Sequence, residues 1–189
     1  MTTRKLATLL FVLAAAVGMS HAGWFQMALN DKTLDLEGGF HIGKDPSSRM
    51  ALGGRYIYED DNETSIGAFI GGISIGETSV EGLELLLAGQ YYFGEGGNED
   101  ASALGLGVDA NWAPGNMKGV FFGGRFFYAP SLFAWGDTEG FSDFAVRAGY
   151  RITPKVDVFV SYHKIKAEFE AIGDVTLSDG WLIGFGGRF

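Results

Sequence analysis

From residue 24 onward, apolar side chains alternate with polar or small ones in runs of about 7 to 13 residues, separated by clusters of Gly, Asp, Asn, Pro and Ser. In residues 34–43, Leu34, Leu36, Phe40 and Ile42 share one parity, and Asp35, Glu37 and His41 share the other. Successive side chains of a strand point to opposite faces, so this pattern predicts a strand with one apolar and one polar face. The same division recurs along the chain. Met50, Leu52, Tyr56 and Tyr58 oppose Arg49, Arg55 and Glu59; Leu83, Leu85, Leu87, Tyr91 and Phe93 oppose Glu84 and Gln90. Leu104, Leu106, Val108, Ala110 and Trp112 oppose Asp109 and Asn111. Later, Phe144, Val146, Ala148, Tyr150 and Ile152 oppose Asp143, Arg147 and Arg151, and Val156, Val158, Val160 and Tyr162 oppose Asp157, Ser161 and His163.

One segment breaks the rule. In residues 65–75, Ile66 and Ile70 fall opposite Ile73 and Ile75, which predicts a bulge at Gly71 and Gly72, where one extra residue would flip the register.

Alternation of this kind suits a soluble sandwich, with the apolar face inside, as well as a membrane barrel, with the apolar face outside. Three features favour the barrel. The last strand carries Trp181, Ile183, Phe185 and the terminal Phe189 on one face, a pattern that looks like the signal by which outer-membrane barrels are recognised for assembly. Aromatic residues gather near strand ends: Tyr56, Tyr58, Tyr91, Phe93, Phe126, Tyr128 and Trp181 at one rim, Phe25, Trp112, Tyr150 and Phe189 at the other. Such girdles mark both interfaces of a bilayer. Connections also read as alternately short (44–48, 76–80, 114–118, 153–155) and longer (59–63, 95–101, 130–140, 166–180), the asymmetry of periplasmic turns and external loops. Counting strands back from Phe189, with residues 24–29 as the first, predicts an all-β antiparallel transmembrane barrel of about ten strands, both termini periplasmic.

The amino terminus agrees with export. Arg4 and Lys5, an apolar run over 6–17 and the small residues Ser20 and Ala22 form a secretory signal, so residues 1–22 are a cleaved leader and 23–189 the barrel domain. The apolar run is shorter than the roughly 20 residues that span a bilayer. No cysteine is present, which excludes disulfides, thiol chemistry and lipid attachment through cysteine. The net charge of −9 becomes −11 once Arg4 and Lys5 leave with the leader, which argues against nucleic acid as a partner. The 30 glycines are roughly twice ordinary usage and fall inside apolar segments, where a helix would tolerate them poorly.

With these elements in place, the chain resembles the YfaZ family of outer-membrane proteins. The resemblance rests on the tract FFYAPSLFAWGDTEGFSDFAVRAGYRITPKVDVFVSYHKI beginning at Phe126, with Tyr128, Pro130, Ser131 and Leu132 followed by Ala148, Gly149 and Tyr150, and on the glycine-rich last strand ending in Phe189. It implies an outer-membrane barrel without an established biochemical activity.

A barrel of this size has a narrow interior that side chains can fill. The inward set is Arg49, Arg55, Glu84, Gln90, Asp109, Arg125, Asp143, Arg147, Arg151 and Arg188, with Phe121 and Phe127 beside Arg125. Charges of both signs in so confined a space must pair, because unpaired burial costs several kcal/mol per ion. The reading is therefore a closed, charge-paired lumen and a non-enzymatic structural or surface-interaction role. The alternative is a narrow channel for small solutes. A rim enzyme has one candidate set, Asp157, Ser161 and His163, but same-face neighbours on a strand stand about 7 Å apart, too far for direct relay. No nucleotide loop, metal-ligand pattern or cofactor motif appears. The expected partners are the lipid bilayer, lipopolysaccharide and the outer-membrane barrel assembly machinery. Acidic residues in the outer loops, Glu59, Asp60, Asp61 and Glu63, then Glu95, Glu99 and Asp100, Asp137 and Glu139, Glu168, Glu170, Asp174 and Asp179, would suit divalent cations.

Overall fold

A computed structural model describes residues 23–43, 48–60, 64–75, 78–96, 99–170 and 173–189; the leader expected over 1–22 lies outside them. The strands are β1 (Gly23–Leu29), β2 (Thr33–Ile42), β3 (Ser48–Glu59), β4 (Thr64–Ile75), β5 (Leu83–Gly96), β6 (Glu99–Trp112), β7 (Val120–Ala129), β8 (Ala134–Gly136), β9 (Thr138–Thr153), β10 (Val156–Phe169) and β11 (Gly173–Arg188). A 3-10 turn, Ser131–Phe133, precedes β8. Every pairing is antiparallel; β7 joins β9, and the three-residue β8 only extends the wall against β6. The remaining ten strands close into a barrel through β1 and β11.

The closing seam is short. Six residue pairs, from Trp24↔Arg188 to Leu29↔Ile183, join β1 to β11, and Gly23 and Phe189 exchange backbone hydrogen bonds of 2.8 and 3.1 Å at its end. Both described chain ends thus lie at one end of the barrel, called proximal below; the opposite end is distal.

The alternating pattern decides which face is which. Phe69, Leu106, Phe126, Tyr128, Tyr150, Trp181 and Ile183 are exposed on the outer wall, while most of the opposite parity, including Asp35, Arg55, Gln90, Arg125, Asp143 and His163, turns inward and is buried or half-buried. Several strands run to 14 or 16 residues, beyond the 9–11 needed to cross a hydrocarbon core. Outward aromatics group in pairs toward both ends: Phe69 with Phe93 and Tyr162 with Trp181 distally, Trp112 with Phe122 proximally.

Two expectations are corrected. β4 has no bulge at Gly71 and Gly72; its register runs unbroken against β3 and β5. Ile66 and Ile70, each 3% exposed, point into the barrel while Phe69 and Ile73 face out, because the distal lumen is itself apolar. The irregularities occur elsewhere, at Ile152, Glu139 and Leu177. At Leu177 the extra residue buries Leu177 and Ser178 together. Two of the predicted longer connections are also largely strand. Residues 95–96 and 99–101 belong to β5 and β6, and 166–169 and 173–180 to β10 and β11, since cross-strand pairing continues to Gly96↔Glu99 and Phe169↔Gly173.

Inward glycines explain how so narrow a barrel accepts large side chains. The Trp24 ring lies across the faces of Gly39 and Gly53, and the Arg147 side chain lies across Gly123. A Cβ at Gly39 or Gly123 would meet these groups, so bulk on one strand is matched by its absence on the next.

Candidate functional site

The lumen is layered. Its distal part is a packed apolar plug of Ile57, Ile66, Tyr92, Phe127, Phe141, Ile165, Phe169 and Leu177. Below this, three arginines from three strands meet four carboxylates from three. Arg55 on β3 donates through Nε and Nη2 to Asp35 at 3.0 and 2.7 Å and through Nη1 to Asp143 at 2.6 Å. Arg125 on β7 forks onto Glu37 at 2.6 and 2.8 Å and reaches Asp109 through Nε at 2.9 Å. Arg147 on β9 donates to Gln26 at 2.6 Å and approaches Asp109 at 3.4 Å. Planar guanidinium forks suit this task because each reaches two acceptors in fixed geometry. The Tyr92 hydroxyl adds a bond of 2.9 Å to Asp143, tying the ionic layer to the plug above it.

Six of the nine inward charges singled out from sequence are paired here or nearby: Arg55, Asp109, Arg125, Asp143, Arg147, and Arg188, which reaches Asp157 at 3.2 Å. Arg49 lies half-buried on the lumen side of β3 toward the proximal end. Glu84 and Arg151 depart from the charge-paired expectation. Glu84 is exposed at the proximal mouth, where water solvates it, and Arg151 has a buried Nε without a hydrogen-bond partner. Gln90 is fully buried on the lumen side of β5. Phe121 and Phe127 point inward as expected, and the Arg125 guanidinium stands 6.0 Å from the Phe127 ring centre.

Asp35, Glu37, Gln26 and Tyr92 are the members sequence reasoning left out. Asp35 and Glu37 were visible on the polar parity of their strand; Gln26 and Tyr92 carried no signal, since their roles depend on strands far away in the chain.

The Asp157, Ser161 and His163 set does not assemble. Asp157 turns to Arg188, and His163 Nε2 lies 2.8 Å from Ser178 Oγ, with Nδ1 3.7 Å from Asp35. Ser178, His163 and Asp35 line up in the order of a hydrolase triad, but the polarity is wrong. The Ser178 hydroxyl donates to Glu59 at 2.8 Å, so the imidazole donates to Ser178 rather than accepting its proton. Ser178 is 2% exposed, leaving no approach for a substrate. Its role is to satisfy two buried partners, so Ser178→Ala should cost about 1–3 kcal/mol in urea unfolding of the refolded barrel.

Trp181, Ile183 and Phe185 are exposed on the outer wall, and the Phe189 ring covers Gly23 at the seam. Among the described residues no cluster of His, Asp and Glu could hold a metal ion. Asp61 and Glu63, and the side chains of Glu95, Glu99 and Asp100, lie outside the described residues.

Closed antiparallel wall, apolar exterior and an ionic layer across the lumen together define an antiparallel transmembrane β-barrel. The NanC porin overlays on it with a TM-score of 0.50 at 11% identity, over 90% of this chain and 95% of that one. The KdgM porin does so at 0.44 and 5%, over 89% and 99%, and the outer membrane channel DcaP of Acinetobacter baumannii at 0.43 and 8%, over 88% and 72%. The chain belongs to the YfaZ precursor family, whose family model matches residues 1–189. No curated protein sequence matches it.

Proposed function

We propose that this chain is an integral protein of the bacterial outer membrane, non-enzymatic, with a closed lumen and a structural or surface-interaction role. Both termini face the periplasm, and the acidic distal end meets lipopolysaccharide and its divalent cations. The supporting observation is the ionic layer: Arg55, Arg125 and Arg147 bind partners on β1, β2, β6 and β9 and so cross the lumen, beneath the apolar plug. The outward Trp181, Ile183 and Phe185 with the terminal Phe189 would present the strand face that barrel assembly machinery reads.

A narrow solute channel is the second reading, favoured by a cavity of about 50 Å³ beside Arg125, Arg147 and Ser161. Conductance in planar bilayers decides between them. Purified protein inserted in a bilayer should give no unitary steps; reproducible steps would overturn the closed-lumen reading in favour of the channel. Location is tested by fractionation, with a band of heat-dependent gel mobility expected in the outer-membrane fraction and a soluble periplasmic protein as the contrary result.

A further inference from the structure

We propose that the proximal mouth of the barrel binds a small oxyanion, a phosphate or carboxylate group, through Arg151 and Arg188. The site lies on the near side of the plug, so it requires no conduction, and it goes beyond the structural role proposed above.

The argument starts with a carboxylate that points elsewhere. In the β9–β10 register Arg151 faces Asp157, and in the β10–β11 register Asp157 faces Gly186. Because Gly186 has no side chain, the Asp157 carboxylate folds across it and bonds Arg188. Among the described residues Arg151 is left without a carboxylate, and its Nε is buried with no acceptor. Arg55, Arg125 and Arg147, in contrast, each donate to at least two side chains. Arg151 as a whole is only half-buried, so the outer nitrogens of its guanidinium can meet an incoming oxyanion and gain the charged acceptor that the other arginines have in their carboxylates.

The surroundings have the same sign. The Arg151 amide donates to Gly119 O at 2.7 Å, which brings the turn bearing Lys118 alongside, and Arg188 N bonds Lys155 O at 2.8 Å, which brings in the next turn. Arg147 and Arg151 both lie within electrostatic reach of Arg188, where Asp157 and Glu84 are the opposing charges. Among the described residues, Arg49, Lys118, Arg147, Arg151, Lys155 and Arg188 lie toward this end, against Glu81, Glu84 and Asp157, in a chain whose net charge is −9. A second cavity, of about 30 Å³, opens here between Trp24, Asn111, Arg147 and Arg188. Arg188 lines this space, and Arg151, within electrostatic reach of Arg188, stands like it on the lumen parity of its strand rather than toward the lipid, which favours a soluble anion over a lipid headgroup.

The test uses the full mature barrel refolded in a phosphate-free maltoside detergent and titrated with inorganic phosphate, read by phosphorus NMR. Saturable broadening is expected. Arg151→Gln and Arg188→Gln should each weaken it about tenfold or more, while both variants keep the heat-dependent gel mobility of a folded barrel. Lys166→Gln, at the distal end, should leave it unchanged. Absence of saturable binding would overturn the site. Equal weakening by Lys166→Gln would do so as well, by showing a diffuse charge effect. Interaction seen only when phosphatidylglycerol is mixed into the micelles would assign the arginines to lipid instead.

Discussion

Replacing Arg55 by methionine is expected to destabilise the barrel by roughly 3 to 5 kcal/mol, the range for removing one partner of a buried ion pair. Arg55 is 6% exposed and serves both Asp35 and Asp143, and Asp143 has no exposed surface. Without the guanidinium, Asp143 keeps only the Tyr92 hydroxyl as a partner, and Asp35 loses a two-pronged contact. The cost is that of leaving carboxylates uncompensated in a narrow space, more than the net worth of the ion pairs themselves. Adding Asp35→Asn and Asp143→Asn to the methionine variant should therefore recover most of the loss. Urea titration in micelles, followed by tryptophan fluorescence, measures both. A loss below about 1 kcal/mol for Arg55→Met would mean that water already screens this layer, as it does for exposed pairs.

The second large effect is expected at Gly107. A side chain there would fall on the Phe126 carbonyl oxygen and the Phe127 Cα, which are backbone atoms of the neighbouring strand and cannot rotate away. Gly107↔Phe127 is a register pair, and Phe127 is 1% exposed in the plug. Gly107→Val should push β6 from β7 and cost about 3 kcal/mol or more, at the upper end of overpacking effects, leaving no folded band on an unheated gel. Gly124→Ala is the matched control. A Cβ at Gly124 meets nothing within 4 Å, so the folded band should persist.

These two sites also show what could be read from the chain and what could not. Arg55, Asp109, Arg125, Asp143 and Arg147 were legible as an inward charged set because strand parity is a local property, set by neighbours one residue away. Their partnerships were not. Arg125 meets Glu37 from a strand 88 residues earlier, and which strands face each other across a lumen follows from barrel closure, not from any segment's own pattern. Ile66 and Ile70 failed for a related reason. An apolar residue on the inner parity looks like a register error until the inner wall is known to be apolar at that depth. The connections misled because Asp, Glu and Gly in 95–101 and 166–180 read as loop, although pairing with a partner strand overrides such weak local preference. Arg151 was grouped with the paired charges only because charges confined in a lumen must pair, whereas the effect of Gly186 on the Asp157 carboxylate needed three adjacent strands at once.

The seam sets how the barrel comes apart. Fourteen register pairs hold β10 to β11, but only six hold β1 to β11. That junction also joins the two ends of the domain, so making it closes a loop running almost the length of the chain, roughly 3 kcal/mol less favourable in entropy than closing a tight hairpin. A wall with few cross-links and the largest closure penalty at one line has its lowest opening energy there. Amide hydrogens along Trp24 to Leu29 and their partners on β11 therefore exchange with solvent ahead of those in β9 and β10, and the cylinder unrolls from its ends before any hairpin within it melts.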